Sequence, residues 1–343
     1  MKCNLDCSYC ATGIYGSHDN TTRHPPLSEC LDTIDLMFKY ASVKMQIKNK
    51  GLKYVVLNVY GGESLHHPEI VTILEEVRKR YQPYQNVWHL TITTTTNAIV
   101  SAKKLTKIIP LIDEFTVSYH SENTTTQKQQ FRDNLLAINS SPARLKCIVM
   151  MHGDSEKFVD GQEMIAWLEQ HKIKYLPKQV DNVRENDQLN YNPTQVIWFE
   201  KLYKTNLDHA EIKNNKSVLT NTGRACCGGR SLCADQQYKK PQSFVPNSFL
   251  GWYCSVNEFF LHIKQLTREV FVNKDCKMNF EGSRGAIGTL DQPELLLQQA
   301  HNPAVIQCAN SRCYCGLCAP KANDLDTYKN IMKKYEIPTS NLL

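Results

Sequence analysis

No stretch of this 343-residue chain approaches the ~18 consecutive apolar residues that suggest a membrane span. Its first ten residues carry cysteines where a signal peptide would place its apolar segment. These absences argue against a membrane span and a signal peptide, and predict a cytoplasmic protein. Charge of one sign is not gathered anywhere either: the net charge of +6 comes from basic and acidic residues mixed along the whole length. There is thus no basic arm for nucleic acid and no polybasic patch for a lipid surface, and neither partner is predicted. Internal repeats and low-complexity tracts are missing as well. What remains is a chain long enough for a large core in one or two domains.

Cysteine, by contrast, is plentiful. Fourteen cysteines in a reducing compartment seldom mean disulfides, and their clustering points to metal or iron–sulfur ligation. Cys3, Cys7 and Cys10 open the chain, only Cys30 and Cys147 follow in the next two hundred residues, and nine more lie from Cys226 to Cys318. The opening run is spaced C-x3-C-x2-C, three soft ligands on one tight loop with no fourth cysteine or histidine close in sequence. Structural zinc sites draw ligands in C-x2-C pairs and close four positions. A cubane cluster held by three cysteines instead keeps one iron open to an outside ligand.

From residue 28 to about 178, helical and strand patterns alternate. Strands are predicted at 54–60, 88–96, 114–120, 144–151 and 173–178, with helices at 28–50, 68–81, 101–109, 124–138 and 157–171. Such alternation means β-α-β crossovers and a parallel sheet, whose ligands sit on the loops after the strands. The polar motifs obey that rule: "GGES" follows the strand at 54–60, "TTN" ends the one at 88–96, and "SYHSE" ends the one at 114–120. Beyond residue 180 the rhythm stops in a polar linker, followed by a predicted hairpin at 257–276.

"CNLDCSYC" (3–10), including Tyr9 before the third cysteine, resembles the signature of the radical S-adenosylmethionine (radical SAM) superfamily. "GGE", at Gly61, Gly62 and Glu63, resembles that family's second motif, in which a glycine turn and a carboxylate meet the amino group of S-adenosyl-L-methionine (AdoMet). The resemblance implies a partial (β/α)6 TIM-like barrel over residues 1–182, a linker or insert over 183–245, and a small cysteine-rich β-hairpin/helix domain over 246–343. It also implies a 4Fe-4S cluster on Cys3, Cys7 and Cys10 whose open iron chelates AdoMet. The reduced cluster cleaves AdoMet to a 5′-deoxyadenosyl radical that abstracts hydrogen from substrate. Thr95, Asn97 and Ser118, at strand ends, sit where the family places hydroxyls and amides against the ribose and carboxylate of AdoMet, although such residues also serve as ordinary caps and turn formers. His120 and Lys146 either face the barrel interior or are half-exposed structure, and His66 and His67 read as surface loop. Only Met1 and Lys2 precede Cys3, where the family's first strand is expected, so the barrel start is either trimmed or absent.

In the C-terminal part, "GAIGTL" (285–290) resembles the glycine-containing strand of the SPASM and twitch extensions. This implies an auxiliary 4Fe-4S cluster on Cys254, Cys276, Cys315 and Cys318, with Cys313 as a substitute, while Cys308 and Cys313 can join Cys226, Cys227 or Cys233 in another site. A zinc ribbon suits the same C-x2-C pair. The expected activity is that of a radical SAM oxidoreductase on a peptide, sugar or other small metabolite, fed by a reducing carrier such as flavodoxin or ferredoxin. No spare segment of ~80 residues is available for a separate leader-binding domain. A non-catalytic zinc-binding interaction protein is the alternative.

Overall fold

Every second side chain of the strand at His89–Thr96 is buried, namely Leu90, Ile92, Thr94 and Thr96, and Phe115, Val117 and Tyr119 repeat the pattern on the next strand. That period of two is what packs one face of a sheet under helices. The computed structural model describes residues 3–5, 7–10, 24–47, 54–180, 191–212, 250–254, 256, 260–265, 267–271, 287–301, 306–308 and 321–334. The chain divides into two compact units, one of residues 1–31 with 54–206 and the other of 32–53 with 207–343.

In the first unit five parallel strands lie in sequence order: β1 (Tyr54–Val59), β2 (His89–Thr96), β3 (Glu114–His120), β4 (Arg144–Met151) and β5 (Tyr175–Gln179). The helix at Leu27–Ile47 (α1) precedes them in sequence, its residues from Asp32 onward belonging to the second unit. Between the strands run α2 (Ile70–Tyr81), α3 (Ala102–Ile108), α4 (Thr125–Asn139) and α5 (Ser155–Gln170). Local sequence sets where they start. Thr124 and Gln127 form a reciprocal capping box on α4, and Asp154 accepts the Glu156 and Lys157 amides at the start of α5. Tyr119 on β3 packs edge-on against Phe131 of α4, with ring centroids 5.2 Å apart, and its hydroxyl donates to Asp160 of α5 at 2.7 Å. A helix unanticipated from sequence, α6 (Pro193–Ile212), follows, and its Phe199 is buried against Phe158 and Tyr191.

The opposite face of the sheet carries polar rows. Register aligns Thr95 with Thr116 and Thr116 with Lys146, then Ser118 with Ile148, then His120 with Met150 and Met150 with Lys178. The inner face of an ordinary barrel is filled by branched apolar layers. Threonine, serine, lysine and histidine here suit a face that receives a polar ligand.

The second unit holds two small antiparallel sheets. One places β6 (Tyr253–Cys254) between β10 (Ile306–Gln307) and β11 (Lys321–Ala322). The other pairs β7 (His262–Lys264), β8 (Glu269–Phe271) and β9 (Gly288–Thr289). The β7–β8 pair is the hairpin expected at 257–276, turning at Arg268 with φ 59°. Leu36 of α1 packs with Val270 of β8 and Leu296 of α7 (Pro293–His301). Gly288 leaves room for that leucine, since a Cβ there would lie 2.6 Å from Leu296 Cδ2. The last helix is α8 (Leu325–Lys334).

Candidate functional site

At the end of β1 the backbone turns through Gly61 at φ 110° and Gly62 at φ 51°. Both lie in the left-handed half of backbone space, where a side chain is strained and glycine is not. Replacing Gly61 by alanine is therefore expected to cost about 1–3 kcal/mol of stability, read as a lower midpoint in denaturant unfolding.

The turn delivers Glu63 into the interior, where it is 1 % exposed. Its Oε1 accepts the Leu65 amide at 3.0 Å and the Thr96 hydroxyl at 2.7 Å, and its Oε2 accepts the Asn97 amide at 2.6 Å. Burial pushes the Glu63 carboxyl upward, and these three donors act against that rise. Glu63 thereby ties the end of β1 to the end of β2. The chain beyond β2 is held just as tightly. Ala98 sits at φ 54°, fully buried, with its amide on Thr96 Oγ1 and its carbonyl accepting Asn134 Nδ2.

The cysteine loop is fastened to the same strand ends. Asn4 donates to the Ile99 carbonyl at 3.1 Å and accepts from Asn97 Nδ2 at 2.8 Å. Between Cys7 and Cys10 the backbone makes a tight turn, closed by the Cys10 amide on the Cys7 carbonyl at 3.0 Å. Ser8 donates its amide and its hydroxyl to the two oxygens of Glu122, just past β3, and Lys157 of α5 donates to Oε1 of the same carboxylate at 2.9 Å. Tyr9 Oη lies 2.7 Å and Cys7 Sγ 3.6 Å from Nδ1 of His120, the last residue of β3. Cys7 and Tyr9 are buried against Val180, with Leu5, Cys10 and Met150 packed around them.

Electrostatics follow from this packing. Burial raises the Cys3 thiol, an effect the Leu5 amide opposes and Glu63 and Cys10 reinforce. Burial also raises the Tyr9 hydroxyl above its ordinary range and pushes His120 down to about 4. Glu122 moves the other way: burial raises it, but the bonds from Ser8 and Lys157 outweigh burial and hold it below its ordinary value of 4.5. A carboxyl depressed in the folded chain contributes stability above its unfolded pKa and loses it as pH falls through the folded value. The Ser8 anchor is therefore expected to hold at neutral pH and to fail progressively below pH 4.5, seen as lost hydrogen-exchange protection of the Ser8 amide after correction for intrinsic exchange.

The sequence-derived site residues thus separate. Cys3, Cys7, Cys10, Tyr9, Gly61, Gly62, Glu63 and Asn97 come together at one end of the sheet. Ser118 lies on the inner face one pleat below His120, and Thr95 is exposed, in register with Thr116. His67 is buried, not surface loop: its Nε2 lies 2.9 Å from the Pro25 carbonyl and its Nδ1 accepts the Glu69 amide. Sequence reading missed Thr96, Asn4, Ser8 and Glu122. Only the position of Thr96 and Glu122 at strand ends signalled them.

Three cysteines on one loop are a donor set that suits a cubane cluster with one open iron. Among the described residues no three His, Cys, Asp or Glu side chains are gathered to hold one metal ion. Ser121 Oγ and Asn123 Nδ2, at the same end of β3, are buried without a hydrogen-bond partner, which suits an additional ligand there.

The chain shares its fold with anSMEcpe. A structure of native anSMEcpe with bound AdoMet and the Cp18Cys peptide matches 97% of this chain and 93% of its own at 12% identity, with a TM-score of 0.54. A second, with AdoMet and the Kp18Cys peptide, matches 86% of this chain and 76% of its own at 13% identity, also with a TM-score of 0.54. No protein-family model matches the chain, and no curated protein matches it by sequence. At such identity the likeness to anSMEcpe is one of fold. No described helix is long and apolar enough to cross a membrane.

Proposed function

We propose that the chain is a radical SAM enzyme in which Cys3, Cys7 and Cys10 hold a 4Fe-4S cluster beside an AdoMet site formed by the Gly61–Gly62–Glu63 turn and the ends of β2 and β3. The observation that carries this reading is the seating of the C-x3-C-x2-C loop on the strand ends, against Asn97, His120 and Glu122, in a fold whose solved relatives bind AdoMet. When bound, the cluster would supply the one electron that breaks a carbon–sulfur bond of the AdoMet sulfonium and so sets up hydrogen abstraction from substrate. The chain's own residues prepare that site. Glu63 and Asn97 lock the two strand ends, the glycines open the backbone to close approach, and Val180, Met150 and Leu5 bury Cys7 and Tyr9.

Thr95, Ser118, Thr116 and Lys146 supply a polar inner face for the ligand. The peptides bound to anSMEcpe favour a peptide among the substrate classes considered. An auxiliary cluster on Cys254 is supported by topology. Cys254 pairs on one side with Ile306 and on the other with Lys321, so both ends of the segment carrying Cys308, Cys313, Cys315 and Cys318 are pinned beside it. Those cysteines other than Cys308, together with Cys226, Cys227, Cys233 and Cys276, lie outside the described residues, and Cys254 itself is buried against Val256 and Ile306.

The reading is tested by anaerobic purification and incubation with a reductant and AdoMet. A brown protein absorbing near ~400 nm that releases 5′-deoxyadenosine supports it. Colourless protein containing zinc would falsify it and favour the interaction-protein alternative.

A further inference from the structure

We infer that His120, through Cys7, sets the reduction potential of the cluster, and that Tyr9 competes with Cys7 for the same histidine proton. The inference rests on the cluster reading above. Its geometry is a shared ring nitrogen: Nδ1 of His120 lies 2.7 Å from Tyr9 Oη and 3.6 Å from Cys7 Sγ, and the Tyr9 ring stacks on the imidazole with centroids 5.8 Å apart at 23°.

His120 ends β3 in register with Met150 of β4, so the imidazole has a fixed backbone under it. The ring of Tyr9 is further held by His152, 6.0 Å away and tilted by 53°. With the proton on Nδ1, one N–H faces two acceptors, the phenol oxygen and the sulfur. A hydrogen bond to a ligating thiolate stabilises the more negative, reduced cluster and raises its potential. The share of that bond reaching sulfur depends on how much the phenol oxygen takes. His120 is accordingly a positioning residue acting through Cys7, and Tyr9 attenuates it.

The two side chains therefore have opposite expected effects. His120→Phe keeps a ring for stacking and removes the donor, so the potential falls. Tyr9→Phe keeps its ring and frees the Nδ1 proton for sulfur, so the potential rises. His120→Asn places an amide nitrogen at the position of Nδ1 and returns the potential toward that of the unmodified protein.

The measurement is a redox titration of the reconstituted full chain followed by electron paramagnetic resonance of the reduced AdoMet-binding cluster, with iron per chain determined in parallel. Shifts of opposite sign for His120→Phe and Tyr9→Phe at equal iron content support the inference. An unmoved potential in iron-loaded His120→Phe, or shifts of the same sign in both variants, overturns it, because generic loosening of the loop does not reverse sign. If His120→Phe fails to load, Tyr9→Phe decides: a raised potential supports the inference, and an unchanged or lowered one overturns it. If the unmodified protein takes up no iron, the cluster reading fails, and this inference fails with it.

Discussion

Replacing Cys3, Cys7 and Cys10 together by alanine is expected to abolish release of 5′-deoxyadenosine from AdoMet, while the reduced unmodified protein releases it. The three thiols leave the loop without disturbing its other attachments. Asn4 still bonds Ile99 and Asn97, and Ser8 still bonds Glu122. The variant should therefore fold, and far-ultraviolet circular dichroism and thermal melting should match the unmodified protein closely. Loss of one buried thiol from the Cys7, Tyr9 and Val180 cluster leaves a small cavity there, worth at most about 1 kcal/mol for a gap of methyl size. Iron in the variant should fall but not vanish if the C-terminal cysteines hold a cluster of their own. Equal release of 5′-deoxyadenosine by both proteins would remove the triad from the chemistry.

The second large effect belongs to Glu63→Gln. The carboxylate accepts three hydrogen bonds while almost fully buried, so an amide nitrogen must replace one accepting oxygen. Placed at Oε2, that nitrogen meets the Asn97 amide, donor against donor. Placed at Oε1, it meets the Leu65 amide and the Thr96 hydroxyl. Thr96 can turn, since its oxygen already accepts the Ala98 amide, but a backbone amide cannot. Stranding one buried donor costs about 1–3 kcal/mol. Relief from burying a charge offsets part of this. A net destabilisation of about 1–2 kcal/mol is expected in denaturant unfolding.

If Glu63 also meets the amino group of AdoMet, the same variant should lose about 1.5–3 kcal/mol of affinity in a titration, the usual worth of a hydrogen bond to a charged group. The two measurements separate the roles. Lower stability with unchanged affinity leaves Glu63 as the clamp between β1 and β2 and nothing more.

Much of the first unit was legible in the sequence. The strands at 114–120 and 144–151 were placed with their observed bounds, and those at 54–60 and 88–96 within one residue. Buried parallel strands flanked by helices write a strong local pattern, because period two and period 3.6 seldom mimic one another over such lengths. Spacing also determined the C-x3-C-x2-C loop and the paired glycines, since both depend on neighbours in the chain. The φ values of Gly61 and Gly62 show why glycine stands there.

Long-range partners left no such mark. Ser8 and Glu122 are 114 residues apart, Tyr9 and His120 are 111 apart, and nothing local in either segment announces the other. His67 read as loop because the Pro25 carbonyl that holds it belongs to a distant segment. Helix α1 followed the core's rhythm in sequence, yet its Leu36 belongs to the second unit, where it packs with Val270 and Leu296. A side chain's period reveals that one face is buried, not which surface buries it. By itself the sequence determined the order of strands and helices from residue 28 to about 178, the three-cysteine loop and the glycine turn, all of which are encoded in runs of adjacent residues. Only the tertiary structure decided that Glu63 is a clamp, that His120 lies between a phenol and a thiol, and that Cys254 is flanked by the strands bounding the last cysteine cluster. Those facts depend on which distant surfaces meet when the chain closes.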